Sequence, residues 1–185
     1  MSSYTVIYDA CVLYPAPLRD LLLQLATAEL FRAKWTDAIH DEWMRNLRRR
    51  RPQISAEKLE RTRALMNASV MDCLVEGYEY LIDALELPDK DDRHVLAAAI
   101  HARCDAIITL NIRDFPREYL SRFNIEAAHP DDFIYYQFDL DHAAVRACRL
   151  RLKKPEISAG EYLDILERHS LTKTVGELRR YGSII

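Results

Sequence analysis

The chain has 185 residues, a length that suits one domain with a modest appendage. Apolar residues make up 49% and charged residues 30%, with only four glycines and seven prolines, which excludes a disordered or fibrous chain. The net charge of -3 argues against a broad duplex-binding face but leaves room for a local basic patch, and Arg45, Arg48, Arg49, Arg50 and Arg51 supply one.

Cys11, Cys73, Cys104 and Cys148 form no CxxC pair and read as reduced thiols. The start, MSSYTVIYDA, lacks a basic, then apolar, leader, and no long apolar run occurs, so the expected location is cytoplasmic with no membrane contact.

In chain order, Tyr4 to Tyr8 is a β-branched and aromatic run that predicts a buried strand ending on Asp9. Leu18 to Phe31 carries apolar residues at helical spacing. Ala33 to Thr36 predicts a short strand, and Thr36 or Asp37 caps a helix running to about Arg49, with Pro52 beyond it. Ser55 opens another helix to about Ala68, and Tyr78 to Leu85 is a short helical candidate. Asp91 to Arg103 is helical, Ala106 to Leu110 is a second strand, and Ile125 to Ala127 a third. Pro130 begins a short helix to Tyr136. From about Asp139 the pattern is helical alone: Leu140 to Leu152, Ser158 to Arg168 and Thr174 to Tyr181. Strands apolar on both faces and alternating with helices predict an α/β fold, a parallel sheet flanked by helices, with a C-terminal all-helical appendage. The expected units are residues 1–137 and 138–185.

Functional groups in such sheets gather beyond the carboxyl ends of strands. Asp9 ends one strand, and Asn111 and Asp114 follow another. Each acid also has an ordinary reading. Asp9 and Asp114 suit turns, Asp91 and Asp92 suit a helix N-terminus, and Glu42 suits a solvated helix face. His40, His94 and His101 are scattered, so no zinc-ligand spacing appears. His94, two residues beyond Asp92, is expected on another side of the helix and in a structural role.

Taken together, four places resemble the PIN-domain family and, within it, VapC-type toxins. They are Val6-Ile-Tyr-Asp9-Ala-Cys-Val-Leu-Tyr14, Glu42 in the helix after Trp35-Thr36, Pro88-Asp-Lys-Asp-Asp92-Arg-His-Val-Leu-Ala-Ala-Ala99, and Ile107-Ile-Thr-Leu-Asn111-Ile-Arg-Asp114-Phe-Pro116. The resemblance spans residues 4 to about 137, and its adjacent third and fourth pieces are the specific part. It implies that Asp9, Glu42, Asp92 and Asp114 form one acidic, metal-binding and catalytic pocket, with Thr109, Asn111 and Asp91 in support. Clustered carboxylates repel one another, and hard oxygen donors suit Mg²⁺ or Mn²⁺. The implied activity is hydrolysis of RNA to a 3′-hydroxyl and a 5′-phosphate. Arg48, Arg49, Arg93 and Arg113 are candidates for phosphate contact, beside the alternative of a solvated basic helix end.

The helices after residue 137 resemble the C-terminal extension of one subgroup of longer VapC-like toxins. They either pack on their own domain or present a face to an antitoxin or to a second protomer, as in a homodimer. A toxin of a type II toxin–antitoxin pair implies a cognate antitoxin protein. Two other readings stay open: a PIN-domain nuclease in RNA processing without a toxin role, and a catalytically inactive PIN-like binding module. A Mg²⁺ phosphatase on a similar sheet is disfavoured, because Asp9-Ala-Cys is not the DxD of an aspartyl nucleophile.

Overall fold

The computed structural model describes residues 4–140 and 158–180. Four short strands, β1 (Thr5–Tyr8), β2 (Arg32–Lys34), β3 (Ala106–Ile108) and β4 (Glu126–Ala128), form one sheet in the order β2-β1-β3-β4. Every pairing is parallel, with Ile7 opposite Lys34 on one side and Ile107 on the other. The chain leaves β1 in one direction to form β2 and later returns on the other side to form β3. The carboxyl ends of β1 and β3 therefore flank the point where the strand order reverses.

Helices α1 (Ala10–Leu13) and α2 (Ala16–Thr27) connect β1 to β2. The corner between them is fixed by buried Arg19, whose guanidinium donates to the Leu13 carbonyl at 2.7 Å and lies 4.8 Å from the Trp43 ring centroid. Helix α3 (Asp37–Arg50) begins at Thr36, whose hydroxyl accepts from the Ile39 amide at 3.0 Å, so the expected cap is present. Helix α4 (Ala56–Ser69) begins at Ser55 in the same way, with the Lys58 amide as donor. Helix α5 (Arg93–His101) precedes β3 and packs on β1 and β3, while α6 (Arg117–Leu120) lies between β3 and β4.

The core is continuous and aromatic beneath β2. Tyr8 stacks on Trp35 with ring centroids 6.1 Å apart, and Phe31 meets Phe133 edge-on at 4.8 Å. His40 takes a structural role, accepting from the Trp43 indole at 3.0 Å and facing Asn67 Oδ1 at 3.0 Å. Strand β2 ends two residues earlier than the sequence suggests. Trp35 instead pairs with the segment around Leu74, through Trp35 N–H to the Cys73 carbonyl and Val75 N–H to the Trp35 carbonyl.

Helix α7 (Pro130–Leu140) runs beyond the expected end at Tyr136 and through the expected unit boundary. The expected helix from Leu140 onward, and Cys148, lie outside the described residues. Helices α8 (Ala159–Arg168) and α9 (Thr172–Arg180) follow the expectation closely. Ser158 and Glu161 complete a reciprocal capping box at the start of α8. Tyr162, Leu166, Leu171, Val175 and Leu178 are buried, and α8 packs on α2 while α9 packs on α7. The apolar faces of these two helices are therefore spent on the chain's own domain. At about 1.5–3 kcal/mol for each large buried side chain, that is ample to hold them there. No helix among the described residues is long and apolar enough to cross a membrane.

Candidate active site

Asp9 and Thr109 stand side by side, one residue past the paired ends of β1 and β3. The parallel register puts Tyr8 opposite Ile108, and the Asp9 amide continues the ladder to the Ile108 carbonyl at 3.1 Å. Asp9 is only 2% exposed. Its Oδ2 accepts from the Thr109 hydroxyl at 2.7 Å and from the Cys11 thiol at 2.9 Å. The Thr109 hydroxyl accepts in turn from the Asn111 amide at 2.9 Å, and Cys11 Sγ accepts from the Leu110 amide at 3.2 Å. The loop after β3 is thus clamped to the loop after β1, and the Asp9 carboxylate is held in one orientation. Burial raises the Asp9 carboxyl above its ordinary range, against the two donors that lower it, and Glu42 adds a further push upward.

Asp92 is the N-cap of α5 but forms no side-chain bond to that helix, and it is 8% exposed. Its carboxyl is pushed up to about 7, first by burial and then by the negative charges of Asp9, Asp89, Asp114 and Glu42. All four acids singled out from the sequence therefore share one electrostatic environment. Asp114 reaches it from a single 3-10 turn, Ile112–Asp114, closed by its amide to the Asn111 carbonyl at 3.0 Å. Glu42 reaches it from the middle of α3. Among the supporting residues, Thr109 and Asn111 sit as described, whereas Asp91 is exposed and is not among the acids acting on Asp92.

Three residues of the site were missed by sequence reasoning. Asp89 acts on Asp92, and its Oδ1 accepts from the Asp91 amide at 2.8 Å. Cys11 reads as a buried thiol until the β1–β3 register brings it to Asp9 and Thr109. The third, His94, is placed against expectation: its Nε2 lies 3.3 Å from Glu42 Oε2. The contact runs across to Glu42 on α3, a neighbour that spacing along α5 does not reveal. His94 Nδ1 is buried and has no hydrogen-bond partner among the described residues.

The arginines divide. Arg49 and Arg50 line a cleft of about 490 Å³ together with Cys11, Tyr14, Glu42 and Asn46, so of the four acids they share it with Glu42. Arg48, with Arg45 and Arg49, borders a neighbouring cleft at the α3–α4 corner. Arg93 is tied to the Lys90 carbonyl at 3.1 Å, and Arg113 is exposed beside Asp114. A cavity of about 640 Å³ between β4 and α7 touches none of the four acids.

Among the described residues, no three His, Cys, Asp or Glu side chains stand close enough to share an ion as they are placed. The chemistry of the donor set nevertheless fits a hard divalent cation. It is all carboxylate oxygen, it is partly buried, and burial together with repulsion within it brings the Asp92 carboxyl up to about 7.

Residues 5–113 match the family model described as PIN domain, and residues 130–180 match the one described as VapC50 C-terminal domain. A Mycobacterium tuberculosis protein named "Putative ribonuclease VapC50" is 40% identical over 102 residues, which is 55% of this chain and 56% of that protein. The alignment thus spans about half the length of that relative. No solved structure is matched. The PIN model covers more than half of the chain and ends on the loop that carries Asp114. The chain belongs to the PIN-domain family.

Proposed function

We propose that the chain is a metal-dependent endoribonuclease, with Asp9, Glu42, Asp92 and Asp114 as its metal-holding and catalytic carboxylates. The observation that carries this reading is the single acidic environment in which Asp92 is pushed up to about 7 by burial and by its acidic neighbours. A fold keeps such a cluster at a cost unless a positive charge offsets it. Membership of the PIN family, and a relative named as a ribonuclease, support RNA as the polymer.

Mg²⁺ or Mn²⁺, when bound, would neutralise phosphate charge and make a water acidic enough to attack at neutral pH. The protein's own work is positioning. Thr109 and Cys11 fix the Asp9 carboxylate through Oδ2. His94 Nε2 can hold Glu42 Oε2 toward the site from α5. Asp92 is the group whose proton affinity lies near neutral in the metal-free chain, so it can hold a proton when no cation is present and release it when one arrives. Arg49 and Arg50 would meet the phosphates of the bound strand.

We further propose that the enzyme is the toxin of a type II toxin–antitoxin pair acting in the cytoplasm, with its nuclease unit in residues 1–137 and its helical extension in residues 138–185. Support comes from the match of residues 130–180 to the VapC50 C-terminal domain. Incubation of the purified chain with total RNA and Mg²⁺ or Mn²⁺ tests the enzyme. Cleavage that EDTA abolishes and that Asp9→Asn and Asp92→Asn suppress is expected. Equal cleavage by wild type and both variants, or indifference to EDTA, refutes the reading. Growth arrest on expression, relieved by the product of the adjacent gene, tests the toxin role separately.

A further inference from the structure

We infer that the cleft beside the acids is a nucleotide subsite, in which the Tyr14 ring stacks on one unpaired base and Arg49 and Arg50 bind the adjoining phosphates. This rests on the ribonuclease reading and extends it by naming what the cleft holds: an unstacked nucleotide of a single strand next to the bond that is cut.

The cleft is built along one stripe of α3. Glu42, Asn46, Arg49 and Arg50 recur at helical spacing, so they line the same side of the helix. The first of them belongs to the acidic cluster. From Glu42 to Arg50 the stripe runs about 12 Å along the helix axis, at about 1.5 Å per residue. A strand with its reacting phosphate at the acids would therefore lay its neighbouring nucleotide along this stripe. The opposite wall is Cys11 and Tyr14, with Asn111 at the rim. Glu42 lines the cleft and Cys11 bonds Asp9 directly, so the cleft adjoins the acids.

The chemistry of the walls selects a nucleotide. Tyr14 closes α1 through its amide to the Ala10 carbonyl at 2.9 Å, and Pro15 follows it, so the ring is carried by a stiff corner and loses little freedom on stacking. The Arg50 guanidinium lies over that ring at 5.8 Å from its centroid. This is close to the outer limit of about 6 Å for a cation–π contact, so a base can displace it at small cost. Among the described residues neither Arg49 nor Arg50 forms an ion pair. Both are exposed, while acids such as Asp37, Asp41 and Glu60 on the α3–α4 face are engaged by Arg63 instead. The Asn46 amide offers one donor group and one acceptor to a base edge. An aromatic platform, an amide and two guanidiniums outside any ion pair among the described residues, beside a proposed phosphodiester site, are the elements of single-strand recognition. A folded protein partner would leave the stiff Tyr14 platform without a purpose that is specific to one nucleotide position.

The test uses the full chain and a labelled RNA that wild type cuts at one mapped site. Single-turnover cleavage is measured against enzyme concentration for wild type, Tyr14→Leu, Tyr14→Phe, Arg50→Ala and the remote control Arg117→Ala, each first shown to melt like wild type. Base–aromatic stacking is worth about 1–3 kcal/mol, so Tyr14→Leu should raise the half-saturating concentration roughly 5- to 150-fold. The maximal rate should be nearly unchanged. Tyr14→Phe and Arg117→Ala should behave as wild type, and Arg50→Ala should weaken binding more at low salt than at high salt. Replacing nucleotides near the cut one at a time by abasic residues should reveal one position where wild type and Tyr14→Leu become equal. Unchanged half-saturation in Tyr14→Leu, or no such position, overturns the subsite while leaving the nuclease reading intact. This includes the outcome in which only capture of a partner protein is impaired. A well-folded wild type that cuts no RNA overturns both.

Discussion

Asp131 and Asp92 are both nearly buried aspartates near the starts of helices, at 6% and 8% exposure, and the fold treats them in opposite ways. Asp131 gives both oxygens to the first turn of α9, accepting from the Lys173 amide at 2.9 Å and the Thr174 amide at 2.8 Å, and its carbonyl accepts from the Thr174 hydroxyl at 3.3 Å. Lys173 also pairs with the neighbouring Asp132. That carboxylate is fully used by the protein and locks the C-terminal helices to α7. Asp92 caps no amide of its own helix and looks instead at other acids. One aspartate is structural and complete. The other is raised by burial and by like charges, with no side-chain bond to its own helix to offset them.

The comparison breaks most sharply under amide substitution. Asp92→Asn should lower RNA cleavage by about a hundredfold or more, since it removes a group at the reacting centre. It should leave the melting temperature of the metal-free chain unchanged or raised, because one repelling charge is gone. Asp131→Ala should do the reverse. It strips the first-turn donors of α9 of their acceptor at a cost of about 1–2 kcal/mol, which a melting curve would show as a fall of about 2–8 °C, with cleavage by the folded protein near wild type. If Asp92→Asn destabilised and Asp131→Ala inactivated, the two assignments would be exchanged.

Between these extremes lies the support of Asp9. Thr109→Val removes the donor at 2.7 Å and leaves the Asn111 amide without its acceptor. A fall of about 10- to 100-fold in divalent-ion affinity is expected, and Thr109→Ser should restore it. Equilibrium titration with Mn²⁺ distinguishes these outcomes. The smallest effect is that of pH on the metal-free protein. The fold prefers protonated Asp92, whose folded pKa of about 7 lies above the unfolded value of about 4. Its contribution is therefore fully favourable below about pH 4 and is lost as pH rises through about 7. Denaturant midpoints should fall between pH 5.5 and 8, conditions chosen to bracket that value, and the slope should flatten in Asp92→Asn.

Much of the scaffold was legible from local patterns. β1 and β3 are apolar on both faces, and Thr36, Ser55 and Ser158 cap the helices they precede. β2 was harder to bound because Trp35 leaves it for a bridge to Leu74, a partner far along the chain. α7 outran its expected end because nothing in Gln137 to Leu140 stops a helix, and burial of Phe138 draws the chain onward. In the candidate site, Asp9 and Asp114 announced themselves by following apolar strands, whereas Glu42 depended most on resemblance. Cys11 and His94 were invisible, since their contacts to Leu110 and Thr109 and to Glu42 cross between elements, and no periodicity encodes them.

We propose that a divalent cation completes the acidic cluster. Calorimetric titration of Mn²⁺ into the metal-free chain, beside Asp9→Asn and Asp92→Asn, tests it most directly. Saturable binding by wild type that both variants weaken at least tenfold, with protons released on binding at pH 7, is the predicted result. Binding of equal strength by all three proteins, or none by wild type, would contradict it.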